Sequence, residues 1–313
     1  MRVIFMGSPD FAVPTLDALI ADLGFDVLRV VTQPDRPKGR GKKLTPTPVK
    51  QRALDAGIPV VAMTKREYKE VAADLTTLEP DLVVVAAFGV ILRDDILNLP
   101  KLGCVNLHAS LLPKYRGVSP VQAAILSGDG ESGCTTMWMD VGVDTGDMLL
   151  RERVPIQPED TAGTLEAKLA AIGAPLMIKT LEGLRDGSIE PQKQDDSFAS
   201  YTKKITKDHG RIDWNAAAGA IARRIRAMSP WPTAYTSFGD KRLIILAGRE
   251  HAATPGDKEE PGTIVSTAPL VVAAGEGCVE VTRVKVAGKK EMDTAAFVAG
   301  YRVSGGDRLG RLS

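Results

Sequence analysis

Cysteine is scarce in this chain of 313 residues. Cys104, Cys134 and Cys278 are the three, and no CxxC spacing joins them. Neither a disulfide framework nor a thiolate zinc site is indicated, which leaves three small buried hydrophobes and no expected metal. Histidine also numbers three, and aromatics make up 5%. No apolar run approaches the ~18 to 20 residues that cross a bilayer, and the opening MRVIFMGSPDFAVP reads as strand then turn instead of a cleavable signal. A cytoplasmic chain without a membrane partner is expected. The turn after the first strand, Gly7-Ser-Pro-Asp, lacks GxGxxG spacing and carries Pro9 and Pro14 close by, which disfavours a nicotinamide dehydrogenase. There is likewise no GxxxxGK[ST], no HExxH and no GxSxG.

What is present is a composition of 44% hydrophobic and 25% charged residues with mean hydropathy −0.04, that of a soluble globular protein. The length predicts two domains. The net charge of +1 conceals an asymmetry: residues 201–313 hold 18 Lys+Arg against 12 Asp+Glu, whereas residues 1–200 hold 22 against 27. Within that acidic first part, residues 34–50 alone carry six basic residues against one acid. Two separated basic regions fit a polyanionic partner that touches both, because phosphate contacts come mainly from Lys and Arg; solvated charge with no partner explains either region alone.

The first ~185 residues alternate apolar runs with amphipathic stretches, the pattern of a parallel sheet flanked by helices. Strands are predicted at 2–6, 27–32, 82–86, 103–106 and 135–139, and helices at 11–22, 48–56, 119–126 and 161–186. The fold class is therefore α/β, with a Rossmann-like, parallel-rich sheet in residues 1–187. Residues 188–206 are polar without apolar period and read as a linker. In 207–313 one helix near 215–228 precedes short strands at ~8 to 12 residue spacing, which predicts a small OB-like β-barrel.

One histidine stands in an informative place. In Gly103-Cys-Val-Asn-Leu-His-Ala-Ser-Leu-Leu-Pro113 a strand ends on Asn106 and His108, and side chains two apart project on the same side. Imidazole suits proton transfer near neutral pH, and the Asn carboxamide offers a donor to a developing oxyanion. A capped strand end with a satisfied histidine fits the same residues. Downstream, Met139-Asp-Val-Gly-Val-Asp-Thr-Gly-Asp147 follows another strand and can place a carboxylate at the sheet's carboxyl edge, where open α/β sheets bind ligands. If the two strands are neighbours, Asp144 lies near His108 and orients the ring. The third element, residues 33–48, is rich in Pro and Gly and is expected as a loop of about 16 residues without regular structure, a length usual for functional or disordered loops.

Taken together, GSPDFAVPTLDAL (7–19), VVTQPDRPKGRGKKLTPTPVK (30–50), AAFGVIL (86–92), GCVNLHASLLPKYRGVSPVQ (103–122), MDVGVDTGDM (139–148), IDWN (212–215) and MSPWPTA (228–234) make the chain closely similar to the methionyl-tRNA formyltransferase family. The resemblance runs over nearly the whole length. It implies transfer of a formyl group from 10-formyltetrahydrofolate to the α-amino group of initiator methionyl-tRNA, by Asn106, His108 and Asp144, in a monomer and without metal. It also implies a folate pocket lined by Phe88, Gly89, Ile91, Leu92, Ser110, Leu111, Leu112 and Pro113. The tRNA acceptor arm would meet Arg40, Lys42 and Lys43, aided by Arg36 and Lys38; Lys203, Lys204, Lys289 and Lys290 are candidate phosphate contacts in the C-terminal part. The Asn-x-His plus Asp trio is common to enzymes that use this donor, so the basic loop is the element that discriminates the acceptor. The competing readings are a formyltransferase acting on a sugar-nucleotide amine, which would lack GRGKK, and a nucleic-acid-binding protein with a degenerate enzyme domain.

Overall fold

A computed structural model describes residues 1–38, 41, 43–253 and 259–310. They form two compact units, one of Met1–Pro120, Glu131–Pro155 and Glu166–Lys203, the other of Val121–Gly130, Ile156–Leu165 and Lys204–Ser313.

In the first unit, strands β1 (Arg2–Gly7), β2 (Asp26–Thr32), β3 (Arg36–Lys38), β4 (Lys43–Thr45), β5 (Val60–Ala62), β6 (Leu82–Ala86), β7 (Cys104–His108), β8 (Arg116–Gly117), β9 (Glu131–Trp138), β10 (Met148–Pro155) and β11 (Tyr201–Thr202) are met in chain order. Helices α1 (Val13–Ala21), α2 (Pro48–Asp55), α3 (Tyr68–Thr76) and α4 (Asp94–Leu97) follow the early strands. Seven strands form one sheet in the order β10-β9-β7-β6-β1-β2-β5. The five from β7 to β5 are parallel, and β9 and β10 run antiparallel at the other edge. The parallel-rich α/β expectation thus holds, with an antiparallel edge added.

The local reasons are plain in the sequence. All five residues of β6, Leu-Val-Val-Val-Ala, are buried, as a β-branched run covered on both faces requires. Thr47 caps α2 by accepting the Lys50 N–H at 3.1 Å, and Pro48 supplies a first-turn residue that needs no amide partner. The chain leaves β1 on one side for β2 and β5 and returns on the other side through β6 and β7, so the winding reverses between β1 and β6. Crevices at such a reversal, outside the carboxyl ends of the strands, are where open α/β sheets hold ligands.

Two expectations are corrected here. Residues 33–48 are not devoid of regular structure: β3 and β4 pair antiparallel, with Arg36 opposite Thr45 and Pro37 opposite Leu44. Proline is tolerated because a two-stranded ribbon is all edge. Residues 188–206 are not merely a tether. Gln194 is buried, Asp195 caps a short 3-10 turn over Asp196–Phe198, and β11 pairs in parallel with β8.

In the second unit, α5 (Pro120–Ser127) and α6 (Ala162–Asp186) contribute Val121–Ser127 and Ala162–Leu165; the residues of α6 from Glu166 onward belong to the first unit, where Thr180 meets Thr136 at 2.8 Å. Thr161 accepts from the Thr164 N–H at the start of α6. Helices α7 (Ala218–Ala227) and α8 (Thr294–Tyr301) accompany strands β12 (Ala234–Phe238), β13 (Lys241–His251), β14 (Ile264–Thr267), β15 (Leu270–Ala273), β16 (Cys278–Val286) and β17 (Met292–Asp293). These form an antiparallel sheet, β12-β13-β16-β15-β14, with β17 against β16. Its core joins Trp214, Ile221, Ile225, Leu243, Ile245, Val284 and Phe297. The buried Ala218, Ile221, Ala222 and Ile225 of α7 recur at helical spacing, which makes it the amphipathic cover of that sheet.

The scarce cysteines are all free and buried. Burial pushes the thiols of Cys104 and Cys134 up to about 12, so at pH 8 neither offers a thiolate. Titration of the native chain with a thiol-disulfide reagent at pH 8 is expected to leave both unmodified until denaturant is added; rapid native labelling of either would contradict their packing.

Candidate active site

The site grows from the end of β7. Asn106 and His108 are both buried, on a strand flanked by β6 and β9, with Asn106 opposite Val85 on one side and Met137 on the other. His108 Nε2 lies 3.0 Å from the carbonyl oxygen of Tyr115. A carbonyl only accepts, so Nε2 carries the proton, and in the neutral ring the free lone pair is on Nδ1. That nitrogen faces Asp144 Oδ2 at 3.6 Å, an ion-pair separation longer than a hydrogen bond. The side chain of His108 is 6% exposed and that of Asp144 18%, so both groups are largely shielded from solvent. The Asn106 carboxamide makes no hydrogen bond among the described residues.

Asp144 reaches His108 by a different route from the one the sequence predicts. Strand β9 is antiparallel to β7, with Trp138 opposite Val105, so the turn after β9 begins at the amino end of β7 and not at the carboxyl edge. Residues 139–147 run back along the sheet to bring the carboxylate to His108. Asp144 itself has φ +53°, the left-handed region, and its Oδ2 accepts the Gly117 N–H at 2.7 Å. The segment Tyr115–Gly117 thereby holds both partners, the ring through its carbonyl and the carboxylate through its amide.

Chemically, this is a recess with one proton acceptor, one anion beside it and one uncommitted amide donor. Among the described residues no three His, Cys, Asp or Glu converge as metal ligands, and no helix is long and apolar enough to cross a membrane.

Comparison with known proteins then decides the family. The formyl transferase family model matches residues 1–181, and the model of the formyl transferase C-terminal domain matches residues 204–302. A methionyl-tRNA formyltransferase of Lachnospira eligens is 44% identical over 99% of this chain and 100% of its own, and one of Geobacter sulfurreducens is 43% identical over 99% and 97%. The chain belongs to the methionyl-tRNA formyltransferase family. Among solved structures, a sugar 3N-formyl transferase crystallised in the presence of dTDP and 5-N-formyl-THF shares the fold, with TM-score 0.66 at 21% identity over 93% of this chain and 99% of that one.

In this methionyl-tRNA formyltransferase family member, the two segments predicted to line a folate pocket follow neighbouring strands. Residues 88–92 leave β6 and residues 109–113 leave the adjacent parallel strand β7, at neighbouring carboxyl ends. Thr135 staples the second segment: its hydroxyl donates to the Ser110 carbonyl at 2.7 Å and accepts from the Leu112 N–H at 3.1 Å. Phe88, Leu92, Ser110 and Leu112 are buried, Gly89 has φ +76°, Leu111 and Pro113 are half-buried, and Ile91 is 71% exposed. Gln33 ties the first segment to the basic hairpin, donating Nε2 to the Phe88 carbonyl at 2.8 Å and accepting from Arg36 Nη2 at 2.6 Å. Arg36 is therefore engaged at the hairpin root, Lys38 stands in β3, and Lys43 is exposed in β4. Arg40 and Lys42 lie outside the described residues. Lys203, Lys204, Lys289 and Lys290 are all exposed.

Sequence reasoning missed Arg116 and Gln194. Arg116, 1% exposed, donates to Gln194, Asp196 and Tyr201, and Gln194 donates to the carbonyls of Asp144 and Gly146. It also missed a cleft of about 740 Å³ in the second unit, lined by Arg211, Arg224, Lys241 and Arg242, where the Arg242 guanidinium lies 3.5 Å over the Tyr235 ring. No local pattern marks either set.

Proposed function

We propose that this chain transfers the formyl group of 10-formyltetrahydrofolate to the α-amino group of initiator methionyl-tRNA, giving N-formylmethionyl-tRNA and tetrahydrofolate. The observation that carries the reading is His108 with its free Nδ1 turned to Asp144, beside the uncommitted Asn106, in a chain of this family. In the reaction, the amine nitrogen bonds to the formyl carbon, and the bond from that carbon to the donor nitrogen breaks. His108 takes a proton from the attacking amine on Nδ1 and returns it to the leaving nitrogen. Asp144 faces the imidazolium formed in between. Asn106 donates to the oxygen that becomes negative as the carbon turns tetrahedral.

The donor would lie across residues 88–92 and 109–113, whose backbone groups and exposed Ile91 are accessible from the strand ends. Two features support this placement: residues 88–92 leave β6, which borders the winding reversal, and Gly89 leaves the approach free of a Cβ that would crowd Gln33. The acceptor arm would meet Arg40, Lys42 and Lys43, with Arg36 and Lys38 in support. In the second unit, the arginine-lined cleft is a candidate for phosphate contacts. That unit is further read as an OB-like barrel. Its support is that residues 308 and 309 bridge both edges of the sheet, Leu309 to Phe238 of β12 and Arg308 to Thr263 beside β14. The protein is further read as a monomer acting in the cytoplasm.

The test is incubation of the protein with 10-formyltetrahydrofolate and either aminoacylated initiator tRNA or a nucleotide-linked amino sugar. Formylation of the tRNA alone is expected; formylation of the sugar alone would replace the reading. Charge reversal, Arg40→Glu, should raise the KM for tRNA about tenfold and reduce its salt dependence. An effect confined to the folate KM would remove the loop from tRNA recognition.

A further inference from the structure

Arg116 is a cation in the wrong place for a surface charge. It is 1% exposed, and only one of its partners, the Asp196 carboxylate at 2.8 Å, is ionic. Burying a guanidinium is costly unless its donors are filled, and here they are filled with a purpose. Nε and Nη2 both donate to Gln194 Oε1, at 3.0 and 2.9 Å, and Nη1 donates to the Tyr201 hydroxyl at 2.9 Å. Arginine has no acceptor, so this contact fixes which end of the Gln194 amide faces it. The opposite end, Nε2, must point away, and it donates to the carbonyls of Asp144 at 2.8 Å and Gly146 at 2.7 Å.

The two carbonyls flank Thr145 and fix the turn in which Asp144 adopts its left-handed φ of +53°. An L-residue enters that region at a cost, and surrounding contacts must hold it there. A second line from Arg116 reaches the same residue, because the next amide along the chain, that of Gly117, donates to Asp144 Oδ2. Resting on the formyl-transfer reading above, we infer that Gln194, clamped by Arg116, is a positioning residue that sets the Asp144 carboxylate against His108. An amide is the side chain that fits: one atom accepts twice from the guanidinium and the other donates twice to the loop.

The testing variant is Gln194→Glu. It keeps the length of the side chain and gives buried Arg116 a counter-ion, so folding is maintained, but it turns an oxygen toward two carbonyls. The expected result is a kcat reduced roughly 10- to 30-fold with both KM values within about threefold, the mark of a displaced catalytic group. Added to Asp144→Asn, the change should slow turnover no further than Asp144→Asn alone, since it acts through that carboxylate. A kcat within about twofold of the parent, or losses that multiply in the double variant, would overturn the assignment.

A readout independent of turnover is the ¹H–¹⁵N spectrum of the His108 ring. Gln194→Glu should move its resonances in the direction that Asp144→Asn moves them; an unchanged ring would equally refute the clamp. This result stands even if the unaltered chain proves inactive on methionyl-tRNA, which would strike the formyl-transfer reading instead. Should Gln194→Glu not fold, Tyr201→Phe with Asp196→Ala removes two anchors of Arg116 at exposed side chains, and a ring spectrum identical to the parent's would overturn the inference.

Discussion

Replacing His108 by alanine is expected to lower kcat about 10³-fold while the Kd for aminoacylated tRNA stays within about twofold. Two contributions vanish together. The neutral ring loses the only lone pair turned toward Asp144, since Nε2 is committed to the Tyr115 carbonyl. The developing oxyanion loses a neighbouring imidazolium and keeps only the Asn106 donor. A positioned acid or base is worth about 10²- to 10⁴-fold, and one oxyanion donor about 10²- to 10³-fold; because one ring serves both, the losses overlap instead of multiplying, and about 10³-fold is expected. On the proposed reading tRNA is held by basic residues away from His108, so its binding should be spared. Filter binding set beside single-turnover kinetics separates the two, and a His108→Ala enzyme that retained its rate would end the proposed mechanism.

Gly146→Ala is expected to cost about 100-fold in kcat without a substituent near the reacting atoms. A Cβ at this position would stand 1.9 Å from the carbonyl oxygen of Trp138 and 2.8 Å from its carbonyl carbon. Both are backbone atoms of β9, and the same residue's amide donates to the Asp147 carbonyl at 2.9 Å, so neither side can rotate clear. The turn carrying Asp144 must move, and the contact of Gly146 with Gln194 must lengthen with it. Overpacking of this kind costs about 1 to 3 kcal/mol, which chemical denaturation can read alongside the rate. Gly130→Ala is the matched control, because a Cβ there meets nothing within 4 Å. Equal rates for the two variants would mean that the turn does not set the carboxylate.

What was legible in the chain is what local periodicity encodes. The apolar run of β6 announces a strand buried on both faces, and the alternation of Asn106 and His108 with apolar neighbours places two polar groups on one side of β7. The Gly and Asp content of 139–147 marks a turn with a carboxylate, yet the direction of β9 is a property of long-range pairing, so the path by which Asp144 arrives was misread. Arg116 follows Lys114 and Tyr115 in a stretch to which the sequence assigns no element, and Gln194 lies in the polar segment read as a linker. Their burial arises only when β11 pairs with β8, about 85 residues apart in sequence, and nothing near either residue signals it. The edge strand β10 was missed because its outer half, Arg151 to Arg153, is exposed and charged.

Among the described residues, strands β3 and β4 bond to each other and to no other strand. The ribbon they form can thus lengthen, shorten or change its charges while the register of the seven-stranded sheet, and with it the spacing of His108 and Asp144, is undisturbed. If the ribbon meets the acceptor as proposed, variation can retune that recognition at one pace and hold the chemistry still at another. On the tRNA-binding reading proposed above, grafting the ribbon of one relative onto the core of a second is a short edit, confined to residues 34–46, that would exchange preference while leaving Gln33 and the Thr47 cap in place.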